Sequence, residues 1–378
     1  MRICISVVTY YPEKNGVQFI TQSLAEGLVK NGHEVTVVTK KFREYKADEN
    51  INGVIVLRCN CNDKNMFHVG NKKEFQDKLI SLSRNMDVML FVNLQSVAAD
   101  WALDILDSIK CQKILYMHGM HRFKWEKYDY SSFKNFCYKV LRNIRWRIFY
   151  SINKNKINSF DKMIHLHEQD DAYKFFEKRY PNKNFVLENF AENIFFTDID
   201  NHSLSDYYIF ISNYHPRKNQ MLLLKSFYLM KTPFKLIMVG SEKNKYYNKL
   251  IQEKNLLDAK YGVKKDIQIL YGVDRKKLPM LLKNAYAFVM TSQWEAYPIA
   301  IIEAMASGVP ILSTDVGIVK YLPGCIIFND NLVDISRTMD NLIDNKKKYE
   351  ELKEEAVSYA QNHFIFDNYL AKFEKIIQ

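Results

Sequence analysis

Short apolar runs alternate with stretches of helical periodicity along most of the chain. Ile3–Thr9 is continuous and rich in β-branched residues, the pattern of a strand covered on both faces, as in parallel sheets. Phe19, Ile20, Leu24, Leu28 and Val29 then recur every three to four positions over Phe19–Lys30, and Asn31-Gly32 stops that helix before the next strand, Glu34–Thr39. The alternation predicts further strands at Val54–Leu57, Val88–Val92 and Ile114–Met117, with helices around Phe75–Ser83 and Val97–Ser108. Strands separated by helices and without hairpin turns imply a doubly wound parallel sheet. After Asp198–Asp206, an aperiodic polar stretch read as a linker, the pattern restarts with strands at Tyr208–Ser212, Lys235–Val239, Ile267–Leu270, Ala287–Thr291 and Ile311–Ser313. The chain of 378 residues therefore reads as two α/β domains, 1–197 and one from 198 onward, facing each other across a cleft. In such sheets ligands bind beyond the carboxyl ends of the strands, so the informative residues should follow strands.

Composition narrows the picture. Lys plus Arg number 54 against 43 acidic residues, a net charge of +11, so an anionic partner is expected: nucleic acid, an anionic membrane or a phosphorylated substrate. Six scattered cysteines without metal spacing fit a reducing cytoplasm. The N-terminal run meets Pro and Gly before any signal-peptide core, and no stretch approaches about eighteen apolar residues, so membrane contact is expected to be peripheral. Between Asp129 and Asp161 there is no acidic residue but seven basic ones, with Phe133, Phe136, Val140, Leu141, Ile144, Ile148 and Ile152 at helical spacing. Two readings fit: a helix whose apolar face meets an anionic membrane through Lys139, Arg142, Arg145, Trp146 and Arg147, or a core-facing helix with a solvated basic face.

The chemistry concentrates in Thr291–Pro310, which reads as strand end, loop, helix and stop at Gly308. Pro298 fits the first helical position, and with Tyr297 and Ile299 it forms a helix entry whose unpaired N–H groups suit a phosphate. Glu295 in the loop and Glu303 inside the helix lie about 8–12 Å apart at about 1.5 Å per residue. That is too far for an acid–base pair on one atom but suited to gripping opposite ends of one long ligand.

This Glu295/Glu303 pair, in Glu-Ala-Tyr-Pro-Ile-Ala-Ile-Ile-Glu-Ala-Met-Ala-Ser-Gly-Val-Pro, resembles the signature of retaining glycosyltransferase family 4, a group 1 type family of GT-B fold. Other segments are similar to that family's motifs: Tyr10–Gln18 to its first loop, Tyr116-Met-His-Gly119 to its strand-end histidine, Phe210–Asn219 to the loop opening the second domain, and Ala360–Leu370 to a terminal helix crossing back. The resemblance implies two Rossmann-like domains, with 364–378 returning to an acceptor-binding domain of 1–197 and 198–363 binding the donor. It implies a nucleoside-diphosphate sugar as substrate, Glu303 on the ribose, Glu295 and His118 at the transferred sugar, Lys218 on the diphosphate and Gly16 close to the sugar-phosphate. Transfer with retention and without a metal or other cofactor is expected; Asp198-Ile-Asp200 has the letters of a metal motif but falls in the linker, and His165 and His167 lack a third ligand.

Three motifs depart from the family pattern: Asn15-Gly16-Val17-Gln18 stands for Gly-Gly-x-Glu, Asn213 for an arginine, and Gly317-Ile-Val-Lys320 for Gly-Gly-x-x-Glu, with His215 and Arg217 placed to substitute in the phosphate clamp. Combined with the basic segment, the resemblance leads to the expectation of a lipid-linked or glycolipid acceptor at the inner face of a bacterial cytoplasmic membrane, in surface-polysaccharide biosynthesis. Rival readings are a nucleotide-sugar epimerase or a phosphorylase, a noncatalytic member of an assembly complex, and a nucleic-acid-binding protein; the last finds no stacking-sheet or zinc-finger pattern here.

Overall fold

A computed structural model describes residues 1–378 apart from 14, 43, 65 and 197–205. The predicted linker Asp198–Asp206, save its last residue, and Asp198-Ile-Asp200 lie outside the described residues. The chain forms two compact units, Met1–Glu188 with Leu370–Gln378, and Asn189–Tyr369. The sequence pattern puts the break at 197/198 and the return at 364. Residues 189–195 instead belong to the second unit, because Ala191 bridges Ile365, Phe190 packs on Phe366 and Tyr369, and Glu192 pairs with Arg275.

In the first unit the strands are β1 (Arg2–Ser6), β2 (Glu34–Lys40), β3 (Asp48–Ile51), β4 (Val54–Cys59), β5 (Cys61–Lys64), β6 (Phe67–Gly70), β7 (Val88–Val92), β8 (Gln112–Tyr116), β9 (Lys162–His165) and β10 (Asn184–Val186). Eight of them form one sheet in the order β10-β9-β8-β7-β1-β2-β4-β3, parallel except for β3. The antiparallel β3–β4 hairpin and the separate β5–β6 hairpin are departures from the purely parallel expectation. The first has a legible cause: Asn52-Gly53, with φ of 53° and 86°, supplies the two left-handed residues of a tight hairpin turn. The helices are α1 (Gly16–Lys30), α2 (Lys72–Ser83), α3 (Val97–Asp100), α4 (Phe133–Ile152), α5 (Lys154–Asn158) and α6 (Asp171–Glu177). The helix expected over Val97–Ser108 stops at Asp100 and continues as two 3₁₀ turns.

The second unit carries β11 (Tyr207–Ile211), β12 (Lys235–Gly240), β13 (Ile267–Tyr271), β14 (Ala287–Met290), β15 (Ile311–Thr314) and β16 (Cys325–Phe328) in the order β13-β12-β11-β14-β15-β16, all parallel. Its helices are α7 (Gln220–Leu229), α8 (Lys245–Tyr261), α9 (Leu278–Lys283), α10 (Ile299–Ala306), α11 (Leu332–Asp344) and α12 (Lys346–His363). A last helix, α13 (Phe366–Ile377), ends in the first unit, where Glu374 holds His33 Nε2 at 3.0 Å. Strand order reverses between β1 and β7 in the first sheet and between β11 and β14 in the second, and such switch points are where open α/β sheets bind ligands.

Helix α4 turns its apolar stripe outward, which contradicts the core-facing reading of the sequence. Lys139, Asn143, Trp146 and Tyr150 turn inward, whereas Phe133, Leu141, Ile144, Ile148 and Ile152 are 52–84% exposed. Lys139 and Trp146, expected at the membrane, are thus corrected to inward positions: Lys139 Nζ donates to Arg122 O at 2.8 Å and pairs with Asp129, and Trp146 is buried. Arg142 and Arg145 lie over the rings of Tyr138 and Trp146, and Arg147 over Phe123. Among the described residues no helix is long and apolar enough to cross a membrane.

Candidate active site

The second sheet's switch point brings together residues far apart in sequence. The segment after β11 makes a 3₁₀ turn over Pro216–Lys218, capped by His215, whose Nδ1 accepts the Arg217 N–H, and closed by Asn219 at φ 54°. The segment after β14 is stitched to it: Gln293 N–H donates to Arg217 O at 2.8 Å, and Thr291 Oγ1 to Asn219 O at 3.0 Å. Gln220 Nε2 fixes the turn's other side through Ser212 Oγ and Asn213 O. With both segments pinned, Lys218 Nζ meets Glu295 Oε1 at 2.5 Å, and the Arg217 guanidinium lies 4.9 Å from the Trp294 ring centroid. Asn213 is exposed; Tyr214 beside it packs flat on Gly240, where a Cβ would come within 2.2 Å of the ring.

Glu303, in the second turn of α10, forms a separate cluster. Arg275, after β13, reaches Glu303 Oε1 at 2.5 Å through Nη2 and Glu192 through Nε. Glu295 and Glu303 are 7% and 3% exposed, so each carboxylate is buried against a cation. Burial drives the Glu303 carboxyl above the usual carboxylate range, with Arg275 opposing it. For Arg275, burial works against the charge, but Glu303 and Glu192 outweigh it and hold the guanidinium above its ordinary value. Arg275 is absent from the sequence-based site. Its only signal is a place after a strand in Asp274-Arg-Lys-Lys277, a run that also reads as solvated charge.

Pro298 is the N-cap of α10, one position outside the expected first helical residue; its ψ of 114° is extended. Tyr297 and Pro298 are buried, Ile299 half-buried. The loop bearing Glu295 is braced by Gly317, at φ 54°, whose added Cβ would sit 2.3 Å from Ala296 O and 2.7 Å from Glu295 O. Gly317→Ala is therefore expected to destabilise the second unit by about 1–3 kcal/mol, read as a lowered melting temperature. An unchanged melting temperature would show that the loop yields freely. Lys320, at the reversed-charge position, pairs with Asp315 at 3.2 Å.

The other expected residues lie in the first unit. Gly16 opens α1 and is exposed, with Asn15 capping the helix through the Gln18 N–H. Gln18 is buried and donates to Gln22. His118 follows β8: its N–H donates to Asn93 Oδ1 at 2.6 Å and its ring lies 4.2 Å from that of Tyr116. Burial lowers its imidazole to about 3, so it is neutral at physiological pH, and its buried Nε2 has no hydrogen-bond partner among the described residues. His165, at the end of β9, bonds Asn184 of β10 through Nε2, and His167 Nδ1 accepts the Gln169 N–H of its own loop.

Two α/β units with parallel sheets of this order have the GT-B fold. The same fold occurs in Anabaena HepE, solved with UDP (14% identity, 99% of both chains, TM-score 0.72), and in WaaG, a glycosyltransferase involved in lipopolysaccharide biosynthesis (15% identity, 100% of this chain and 99% of that one, TM-score 0.69). Residues 196–359 match the family model "Glycosyl transferases group 1". A probable sucrose-phosphate synthase of Thermosipho melanesiensis is 25% identical over 411 aligned positions, covering 99% of this chain and 93% of that protein.

Proposed function

We propose that the protein is a retaining, family 4 glycosyltransferase that moves one sugar from a nucleoside diphosphate to a hydroxyl of a lipid-linked or glycolipid acceptor, without need of a metal. The observation that carries the transfer reading is Lys218 and Glu295 held together at the second switch point. As the glycosidic bond loosens, negative charge grows on the departing diphosphate; Lys218, Arg217 and the first N–H groups of α10 supply fixed positive ends for it. A compact ammonium suits that point contact with phosphate oxygens. Lys218 drawn to phosphate leaves Glu295 to accept the hydroxyls of the transferred sugar, while Glu303, steadied by Arg275, takes the ribose. Roles for His118 and Gly16 at the sugar rest on the family resemblance alone. That HepE is solved with UDP supports a nucleotide donor. Screening nucleotide sugars for hydrolysis and thermal stabilisation tests this: at a hundred times Kd a bound donor adds about 2.7 kcal/mol. No stabilisation by any of them overturns the reading.

The membrane part rests on α4. Its outward face pairs an apolar stripe with arginines and Lys134 and no acid, matching an anionic bilayer surface in both apolar burial and charge. WaaG's role in lipopolysaccharide biosynthesis supports the same setting: the inner face of a bacterial cytoplasmic membrane, in surface-polysaccharide assembly. The protein is expected to co-sediment with vesicles containing anionic lipid, less so as salt rises. Leu141→Glu with Ile144→Glu and Ile148→Glu should abolish co-sedimentation and leave the melting temperature unchanged, since all three side chains are exposed. Binding indifferent to anionic lipid ends the membrane claim.

A further inference from the structure

The switch point of the first sheet holds a cavity of about 190 Å³, lined by Thr9 after β1, Asn93 after β7, Asn15, Asp63, Ser96 and four valines. Sites for drug-sized ligands run from about 300 Å³ upward, so this one suits a single ring. Ser96 is 8% exposed, and although it stands at the N-cap of α3 its hydroxyl caps nothing; its Oγ has no hydrogen-bond partner among the described residues. A buried hydroxyl without a partner is costly unless something else satisfies it.

Asp63 is built into position. It faces His68 across the β5–β6 hairpin, and its Oδ1 accepts from His68 Nδ1 at 2.7 Å and from the Val97 N–H at 3.0 Å. The other imidazole nitrogen meets Asp100 Oδ2 at 2.8 Å, and Asp100 Oδ1 accepts the Gln95 N–H at 2.8 Å. Burial would lower the His68 pKa, but the bonds to Asp100 and Asp63 prevail and push it up to about 9, so both nitrogens donate at neutral pH. Burial raises the Asp100 carboxyl, with His68 opposing it, and Asp63 is the acidic group of this cluster that lines the cavity. Neighbouring Asn93 and Gln95 are held at φ 60° and 67°, and the Asn93 carboxamide is tied to the His118 N–H.

We propose that this cavity receives one uncharged, hydroxyl-bearing ring of the acceptor, with Asp63 and Ser96 as the residues that select it. The valines cover the ring's C–H faces, while Asp63, Ser96, Asn15 and Asn93 meet its hydroxyls. The Asp63 carboxylate in a lining whose described residues include no lysine or arginine disfavours a phosphorylated sugar, because a second anion there meets repulsion. The inference rests on the glycosyltransferase reading and adds the chemical class of the acceptor ring.

The test uses the whole protein and saturation-transfer NMR with methyl glycosides of glucose, galactose, mannose and N-acetylglucosamine, myo-inositol and glucose 6-phosphate. At least one neutral ring is expected to bind, and glucose 6-phosphate more weakly than methyl glucoside. Asp63→Asn should weaken that binding about tenfold or more, and Ser96→Ala about fivefold. Ser96→Ala removes a hydroxyl that holds nothing in the fold, so it remains informative if Asp63→Asn fails to fold. Binding by none of the rings, tighter binding of the phosphate ester, or unchanged binding in the variants overturns the proposal. UDP added to the same samples separates the two readings. Nucleotide binding without ring binding sinks this inference alone, whereas absence of nucleotide binding sinks the glycosyltransferase reading whatever the rings do.

Discussion

Lys218→Met is expected to lower kcat/KM by about a hundredfold to a thousandfold, the range for removing one preorganised charge partner from a developing anion. The loss should fall mainly on kcat, because the charge on the diphosphate is greatest as the bond breaks. Stability should fall as well. Glu295 is buried and Lys218 Nζ, 2.5 Å away, is its recorded partner, so the methionine leaves a carboxylate out of water without a cation. Lys218→Met with Glu295→Gln should recover the stability but not the activity. A double-mutant cycle with thermal unfolding and initial rates separates the two effects. Full activity in Lys218→Met would remove the lysine from the mechanism.

Arg275→Ala is expected to have the largest effect on stability. It leaves Glu303, 3% exposed, without its guanidinium, and breaking such a pair costs about 3–5 kcal/mol. For a unit of this size that is a fall of about 6–20 °C in melting temperature. The deficit depends on pH. Burial already raises the Glu303 carboxyl in the folded protein, and without Arg275 that effect is unopposed. A carboxyl whose folded pKa lies above its unfolded value contributes stability at pH below the unfolded pKa and loses it as pH rises through the folded one. The variant should therefore lie closest to the parent near pH 5 and furthest from it at pH 8. Arg275→Ala with Glu303→Gln should remove most of that slope, and a deficit independent of pH would show that the pair contributes by packing alone.

Much of this was legible from local pattern. Strands such as Glu34–Thr39 and Val88–Val92 declare themselves by continuous apolar runs, and their positions agree with β2 and β7. The three- and four-residue strands β3, β5, β6, β9 and β10 do not, because so few residues cannot establish a period; Asn52-Gly53 was the one overlooked hairpin signal. Lys218 and Glu295 could be singled out because each lies just past a predicted strand within a recognisable motif. Arg275 could not, since a cation in a basic run looks the same in sequence whether it meets water or a buried glutamate.

The pattern of α4 left two readings open. Periodicity marked an apolar stripe, but it cannot say whether that stripe packs inward or faces out, because both orientations have the same period. The sequence by itself determined the two α/β units, the helix behind Glu295 and the family resemblance, all of which depend on neighbours along the chain. Only the tertiary structure decided that α4 turns its isoleucines outward and that Glu303 needs Arg275. It also joined Asp63, His68, Asp100 and Ser96 at one switch point. Each of these depends on contacts between segments that sheet order, not chain order, makes adjacent.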